Sequence, residues 1–298
     1  MAGYRSAKTP LTPILYSAEA VTAYAAYRMP ATHAAMREAF AHAGGLTPTT
    51  MLDLGGGAGA AAWAAVEAFS SLATVTVTDQ SRAALDLGKQ LADTSTASAL
   101  RSARWWPLVL DPGSVLEPAD LITAAYLLGE LDQPTRDRLI SQLSVAAQIA
   151  VIVEPGTPAG YERMLTARDA LIDSGFHVLA PCPHSLACPL AGGADWCHFA
   201  ARLDRSPLHR WAKDAELGHE DEKFAYVIAA RSPAYVAAAV GTAPGRVLRH
   251  PLTRKGLVTM TVCTPDNGVV RTPIAKSNPL YRAARDAGWG SAWPPAPR

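Results

Sequence analysis

The chain has 298 residues, 49% of them apolar and 18% charged, a balance that supports a folded core and excludes a disordered chain, with room for one large domain or two modest ones. No apolar run approaches the ~18 residues a membrane-spanning helix needs, and Met1–Pro10 carries two basic residues with no apolar segment behind them, so neither membrane insertion nor secretion is expected and a cytoplasmic location is. The net charge of +1 hides an asymmetry of −6 over residues 1–200 and +7 over residues 201–298, which points to a polyanion such as RNA unless the basic face is merely solvated.

In chain order, residues 19–43 read as two helices split by Pro30, with Tyr24, Tyr27, Met29, Met36 and Phe40 as inward positions and an end at Gly44-Gly45. Strands are expected at Met51–Leu54, at Ala73–Thr78 ending on Asp79, at Arg104–Leu110, at Asp120–Tyr126 and at Ile149–Val153. Helices are expected between and after them at Ala58–Phe69, Ala83–Leu91, Pro134–Val145 and Tyr161–Ser174, with Asp93–Ala99 as a loop. Strands alternating with helices imply a parallel, doubly wound α/β sheet. From about Pro181 the texture becomes a Pro/Gly/Cys/His-rich loop and a basic stretch, with later strands at Lys223–Ala229 and Val258–Val262. The divisions are therefore an N-terminal helical segment (1–45), a Rossmann-like domain (46–180) and a cysteine-rich, basic C-terminal region that completes the fold (181–298).

Asp53-Leu-Gly55-Gly-Gly57-Ala-Gly59 follows an apolar strand and opens a helix. Its glycines let the backbone turn sharply and pass close to a ligand. Asp53 at the strand tip suits an amino group, Asp79 ends the next strand where a carboxylate can accept ribose hydroxyls, and Asp111 follows the third strand near the place of an adenine. The D-x-G-x-G-x-G spacing favours S-adenosylmethionine over a dinucleotide, whose fingerprint is G-x-G-x-x-G.

The four cysteines are Cys182, Cys188, Cys197 and Cys263, three of them within sixteen residues. Disulfides are disfavoured in a reducing compartment. Clustered thiolates select zinc or iron–sulfur iron. The lack of a C-x₂-C knuckle and the flanking prolines lean toward a cluster, with His184 and His198 as further ligands or hydrogen-bond donors. Buried cysteines acting as small hydrophobes are the alternative.

The chain resembles the methyltransferase-like family associated with assembly of the bacterial and mitochondrial small ribosomal subunit. The likeness is carried by Tyr27-Arg28-Met29-Pro30-Ala31-Thr32, the Asp53–Gly59 turn, Glu154–Gly160, Ala180–His184, Cys188-Pro-Leu190 and Trp196–Phe199. It continues in Glu220–Phe224, Arg246–Pro251, Lys255-Gly256, Cys263 and Trp289-Gly290. The resemblance implies a Rossmann-like class I methyltransferase domain that binds S-adenosylmethionine. It also implies a four-iron four-sulfur cluster (4Fe-4S) on Cys182, Cys188, Cys197 and Cys263, so that the C-terminal extension is stapled by metal. The implied partner is small-subunit ribosomal RNA or a precursor ribosomal particle.

Catalysis is less legible. The end of the fourth strand, Ala125-Tyr126-Leu-Leu-Gly-Glu130, lacks the Asn/Asp-Pro-Pro-aromatic pattern of base amino-methyltransferases, and no cysteine lies where a cytosine-5 enzyme would need one. The chain therefore reads either as a methyltransferase or as a non-catalytic RNA-binding assembly factor on the same scaffold. Tyr126, Glu130, Glu154 and His33 are candidate pocket residues. Arg202, Arg205, Arg210, Lys213, Arg246, Arg249, Arg254 and Lys255 are candidate phosphate contacts, and Trp211 and Trp289 candidate stacking platforms.

Overall fold

A computed structural model describes residues 18–207, 210, 216–238, 244–266 and 268–295. Lys213 and Trp211 lie outside the described residues. No described helix is long and apolar enough to cross a membrane.

The first sheet has eight strands: β1 (Thr50–Leu54), β2 (Thr74–Asp79), β3 (Arg104–Pro107), β4 (Ala119–Ala125), β5 (Ala147–Pro155), β6 (His177–Ala180), β7 (Phe199–Asp204) and β8 (His219–Ala230). Their order is β3-β2-β1-β4-β5-β8-β6, with β7 along the outer half of β8. β1 to β5 are parallel, whereas β8 runs antiparallel to β5, β6 and β7. This is a Rossmann-like α/β arrangement, and it is mixed where the sequence implied a parallel sheet. The reversal arises because β8 enters the sheet from its antiparallel pairing with β7.

Alternation along the strands divides the core. Ile149, Val151 and Val153 of β5 and Phe224, Tyr226 and Ile228 of β8 face one layer. Ala150 and Ile152 of β5 and Ala225 and Val227 of β8 face the other. Both faces are apolar because helices cover both. α2 (Met29–Ala41) and α3 (Ala60–Ala68) pack on the first face; α6 (Gln133–Ala146) and α7 (Pro158–Asp173) pack on the second. Between β2 and β3 run α4 (Arg82–Asp93) and the single turn α5 (Ser98–Arg101), the latter within a stretch expected to be loop. Burying each large side chain contributes roughly 1.5–3 kcal/mol.

The N-terminal helices are not split at Pro30. Pro30 sits in the first turn of α2, where its missing N–H costs nothing. A π-helical turn, Tyr24–Arg28, instead joins α2 to α1 (Ala18–Ala23). Met36 and Phe40 enter the core, while Tyr24, Tyr27 and Met29 stay half-buried.

The region from 181 onward divides between two sheets. β7 and β8 complete the first; β9 (Arg246–Val247), β10 (Leu252–Arg254), β11 (Leu257–Thr264) and β12 (Gly268–Ala275) form a second, antiparallel one. Its inner face, Val258, Met260, Val262 and Ile274, packs against Ala284 and Trp293.

Candidate functional site

A cavity of about 280 Å³ opens at the carboxyl ends of β1, β2 and β4, the usual ligand position in a doubly wound sheet. Gly55, Gly57 and Asp79 form one wall, Leu108, Val109 and Leu110 a second, and Tyr126, Leu127, Glu130 and Leu131 a third. Tyr24 and Thr32 close it from the N-terminal helices. The turn exists because Gly55 and Gly57 take φ of 60° and 56°, values side-chain-bearing residues rarely adopt.

Asp79 is fixed by the turn it faces. Its Oδ2 accepts from the Gly57 N–H at 2.9 Å and its Oδ1 from the Ser81 N–H at 2.8 Å, and burial pushes its carboxyl above the usual range. Asp53 lies beneath the turn rather than in the cavity. It is fully buried, and its Oδ1 accepts from the Thr123 hydroxyl at 2.6 Å. Its Oδ2 has no hydrogen-bond partner among the described residues and would meet a Cβ at Gly56. Burial raises its pKa to about 7.

Gly59 also stands behind the cavity. Its φ of 86° starts α3, and a Cβ there would come within 2.7 Å of the Trp105 ring. Asp111, expected near an adenine, is a correction: its carboxylate is exposed and accepts from Gly113 N–H and the Ser114 hydroxyl, closing its own turn outside the cavity wall.

Tyr126 ends β4 with φ of 59°, a strained conformation for a bulky residue. Its hydroxyl donates to Glu222 Oε1 at 2.8 Å, and Arg28 lies 4.5 Å above its ring while donating twice to Glu222, at 2.9 and 2.8 Å. Three distant segments are locked around the cavity mouth in this way. Glu154 holds the adjoining loop: it is fully buried, accepts from Leu128 N–H at 3.0 Å and pairs with Arg163 at 2.7 Å. It braces the cavity and does not line it. His33 points elsewhere, to Glu67 at 3.2 Å.

Glu130 is the half-buried carboxyl left facing the cavity; burial, then Asp79 and Glu154, raise its pKa to about 7. With Asp79 and Asp132 it gives, among the described residues, a lining of three carboxyls and no Lys, Arg or His.

The four cysteines, three from the loop between β6 and β7 and Cys263 from β11, line one second cavity with Tyr161, Arg168, His184 and Arg246. Burial and neighbouring thiols push Cys182, Cys197 and Cys263 up, Cys263 to about 12. Tyr161 and Cys188 share a hydrogen bond at 3.2 Å, and His184 Nε2 lies 3.8 Å from Cys263 Sγ. His198 faces away, stacked on Trp196. Buried Arg168 donates to the carbonyls of His184 and Leu186 at 3.3 and 2.7 Å, which shapes the loop between Cys182 and Cys188. No three His, Cys, Asp or Glu side chains among the described residues are grouped to hold a single metal ion.

The basic candidates separate by environment. Arg202 pairs with Asp221 at 2.7 Å and Arg205 with Glu220 at 2.8 Å, both on β8, so the apparent basic stretch is largely neutralised across the strands. Arg246 is a correction: 4% exposed, it donates to the Pro181 and Gly290 carbonyls and has no access to a phosphate. Arg249 clamps the cysteine loop through Asp195 and the Trp196 carbonyl. Trp289 is packed edge-on against His198 and His250 rather than presented to solvent for stacking. Arg210, Arg254 and Lys255 are exposed.

Neither the place of Tyr24, Thr32 and Leu108–Leu110 in the cavity wall nor the roles of Arg28, Glu222 and Arg168 follow from the sequence. Arg28 and Glu222 stood inside motifs that carried the family resemblance; for Arg168, an ordinary helix position, no local signal exists.

Comparison with known proteins gives the following. The family model described as Mitochondrial small ribosomal subunit Rsm22 matches residues 18–294. The human "Ribosome assembly protein METTL17, mitochondrial" is 30% identical over 295 residues, covering 91% of this chain and 62% of that protein. "Rsm22-cox11 tandem protein 2, mitochondrial" of Schizosaccharomyces pombe is 26% identical over 193 residues, 52% of this chain and 26% of its own. This chain thus spans less than two thirds of either relative's length. Among solved structures, the glycopeptide N-methyltransferase MtfA in complex with S-adenosyl-L-methionine is 13% identical, aligned over 67% of this chain and 94% of that one at a TM-score of 0.43.

Proposed function

Because this chain belongs to the mitochondrial small ribosomal subunit Rsm22 family, we propose that it acts in assembly of the small ribosomal subunit, as a methyltransferase-like protein that binds S-adenosylmethionine and small-subunit ribosomal RNA. The observation that carries the cofactor reading is the charge of the cavity. S-adenosylmethionine presents a sulfonium and an ammonium, and the lining offers Asp79, Glu130 and Asp132 with no cationic side chain among the described residues. A dinucleotide's pyrophosphate would meet the opposite of what it needs. Asp79 would take the ribose hydroxyls, Leu108–Leu110 the adenine, and Glu130 the cationic end or a proton from an acceptor. The ligand supplies the methyl group; the chain supplies its orientation.

The test incubates purified protein with radiolabelled S-adenosylmethionine, alone and with immature small subunits. Saturable binding that Asp79→Asn weakens is expected; absence of binding would sink the cofactor reading. Transfer of label to ribosomal RNA distinguishes an enzyme. Binding without transfer favours the assembly-factor reading, which the engaged Tyr126 and Glu154 side chains and the missing catalytic pattern support.

The cysteine cavity fits a polynuclear group by the chemistry of its donors. All four cysteines line that cavity, three from the loop between β6 and β7 and one from β11, and thiolates gathered in one cavity would need a multivalent cation to offset their charge. Cys182, Cys188, Cys197 and Cys263 would hold a four-iron four-sulfur cluster, with Arg168 and Arg246 offsetting its negative charge. Anaerobic purification with iron, sulfide and zinc analysis decides between a cluster, a single zinc and no metal.

A further inference from the structure

We propose that the open face of the second sheet is a binding surface for the phosphate backbone of RNA; this rests on the ribosomal reading above and adds where the contact is made. Strand register defines the face. Leu252, Thr259 and Pro273 lie opposite one another, as do Arg254, Leu257 and Ala275, and Thr261 opposes Arg271. Directly opposed residues project to the same side. The next pair in the series, Cys263 and Val269, lines the cysteine cavity. One continuous face is therefore cavity wall at one end and solvent-exposed at the other. The reverse face is covered by Ala284 and Trp293.

The open part is one-sided in charge. Arg254 and Arg271 project from it, and Lys255 and Lys276 flank it at the strand ends; all four are exposed. None is in an ion pair among the described residues, unlike Arg202, Arg205 and Arg249. Between residues 252 and 276 the one acidic residue is Asp266, at the far turn between β11 and β12. The rows of Arg271 and Arg254 are four residues apart, about 13 Å along the strands, so non-adjacent phosphates of one extended strand can be met by the two rows. No aromatic side chain lies on the face, which favours backbone contact over base stacking. An acidic protein would also be attracted, but the threonine hydroxyls beside the cations suit phosphate oxygens.

The experiment uses the full chain and the quadruple variant R254Q/K255Q/R271Q/K276Q, titrated with labelled fragments of small-subunit ribosomal RNA and an unrelated RNA of equal length over a salt series. Arg202→Gln serves as a control whose cation is already paired. The variant is expected to bind both RNAs about tenfold or more weaker at low salt, with a salt slope shallower by about 0.7 for each phosphate no longer neutralised, while the control binds as wild type. An unchanged thermal transition shows that the variant is folded. Wild-type binding with an undiminished variant overturns the surface and leaves the ribosomal reading standing. Association with immature particles but not with naked RNA, abolished in the variant, assigns the face to an acidic protein and overturns the RNA proposal. Wild-type failure on both RNA and particles removes the ribosomal reading and this inference with it.

Discussion

The Tyr126 hydroxyl donates to Glu222 Oε1 at 2.8 Å across a sequence separation of 96 residues, and the same carboxylate receives both terminal nitrogens of Arg28. β4, β8 and the N-terminal helices are thereby tied at the mouth of one cavity, and a left-handed Tyr126 is held in place. Glu222→Gln removes the carboxylate charge that faces the half-buried Arg28 guanidinium. A loss of about 2 kcal/mol in urea unfolding is expected, with weaker S-adenosylmethionine binding in calorimetry. Unchanged stability would show the three-way lock to be incidental.

Glu130 gives the cavity a pH dependence. Burial raises the pKa of its carboxyl to about 7 in the folded chain, from the ordinary ~4.3 when unfolded. Between these values the folded state holds the extra proton, so stability falls as pH rises from about 4 to 7 and levels off above. Asp53, also at about 7, acts in the same direction. Glu130→Gln should flatten part of that decline in a pH series of melting temperatures. Affinity for a cationic ligand should run the opposite way, strengthening as Glu130 ionises through pH 7, and this trend should vanish in Glu130→Gln.

The parallel core was readable in the sequence because each buried strand is a short apolar run bounded by a turn, and Gly55-Gly-Gly57 with Asp79 marked the cavity. β7 was not readable. Its charges, Arg202 and Arg205, are satisfied by Asp221 and Glu220 on the neighbouring strand, information that exists only after pairing. In the second sheet β11 was readable as Val258–Val262, but β10 escaped for a related reason: Leu252–Arg254 is exposed throughout and shows no apolar alternation. Asp53 resembled a ligand contact because the motif does not say which side of the turn its side chain occupies; Gly56 seals it beneath.

Arg168 links helix packing to the cysteine loop. At 1% exposure it spends its guanidinium on the carbonyls of His184 and Leu186, inside the segment that separates Cys182 from Cys188. Arg168→Met keeps much of the apolar stem but drops these donors, at a cost of about 2 kcal/mol. If the thiols hold metal, content per chain should fall with it. Arg82→Gln, at an exposed position of α4, is the comparison; equal metal retention in both would show that the loop shapes itself.

Gly88 tests how tightly the glycine turn is backed. It lies inside α4, where replacing glycine by alanine ordinarily gains about 1 kcal/mol. Here a Cβ would run into the Trp105 ring and come within 3.0 Å of the Ala58 backbone. The same ring lies against Gly59 at the start of α3, so it cannot retreat toward the turn. Gly88→Ala is therefore expected to destabilise the chain by about 1–3 kcal/mol, the usual cost of overpacking, and to lower ligand affinity by displacing the turn. Trp105→Leu should cost stability alone but relieve Gly88→Ala in the double variant, giving a coupling energy of about 1 kcal/mol or more in urea unfolding. Additive losses would mean that the clash is absorbed elsewhere.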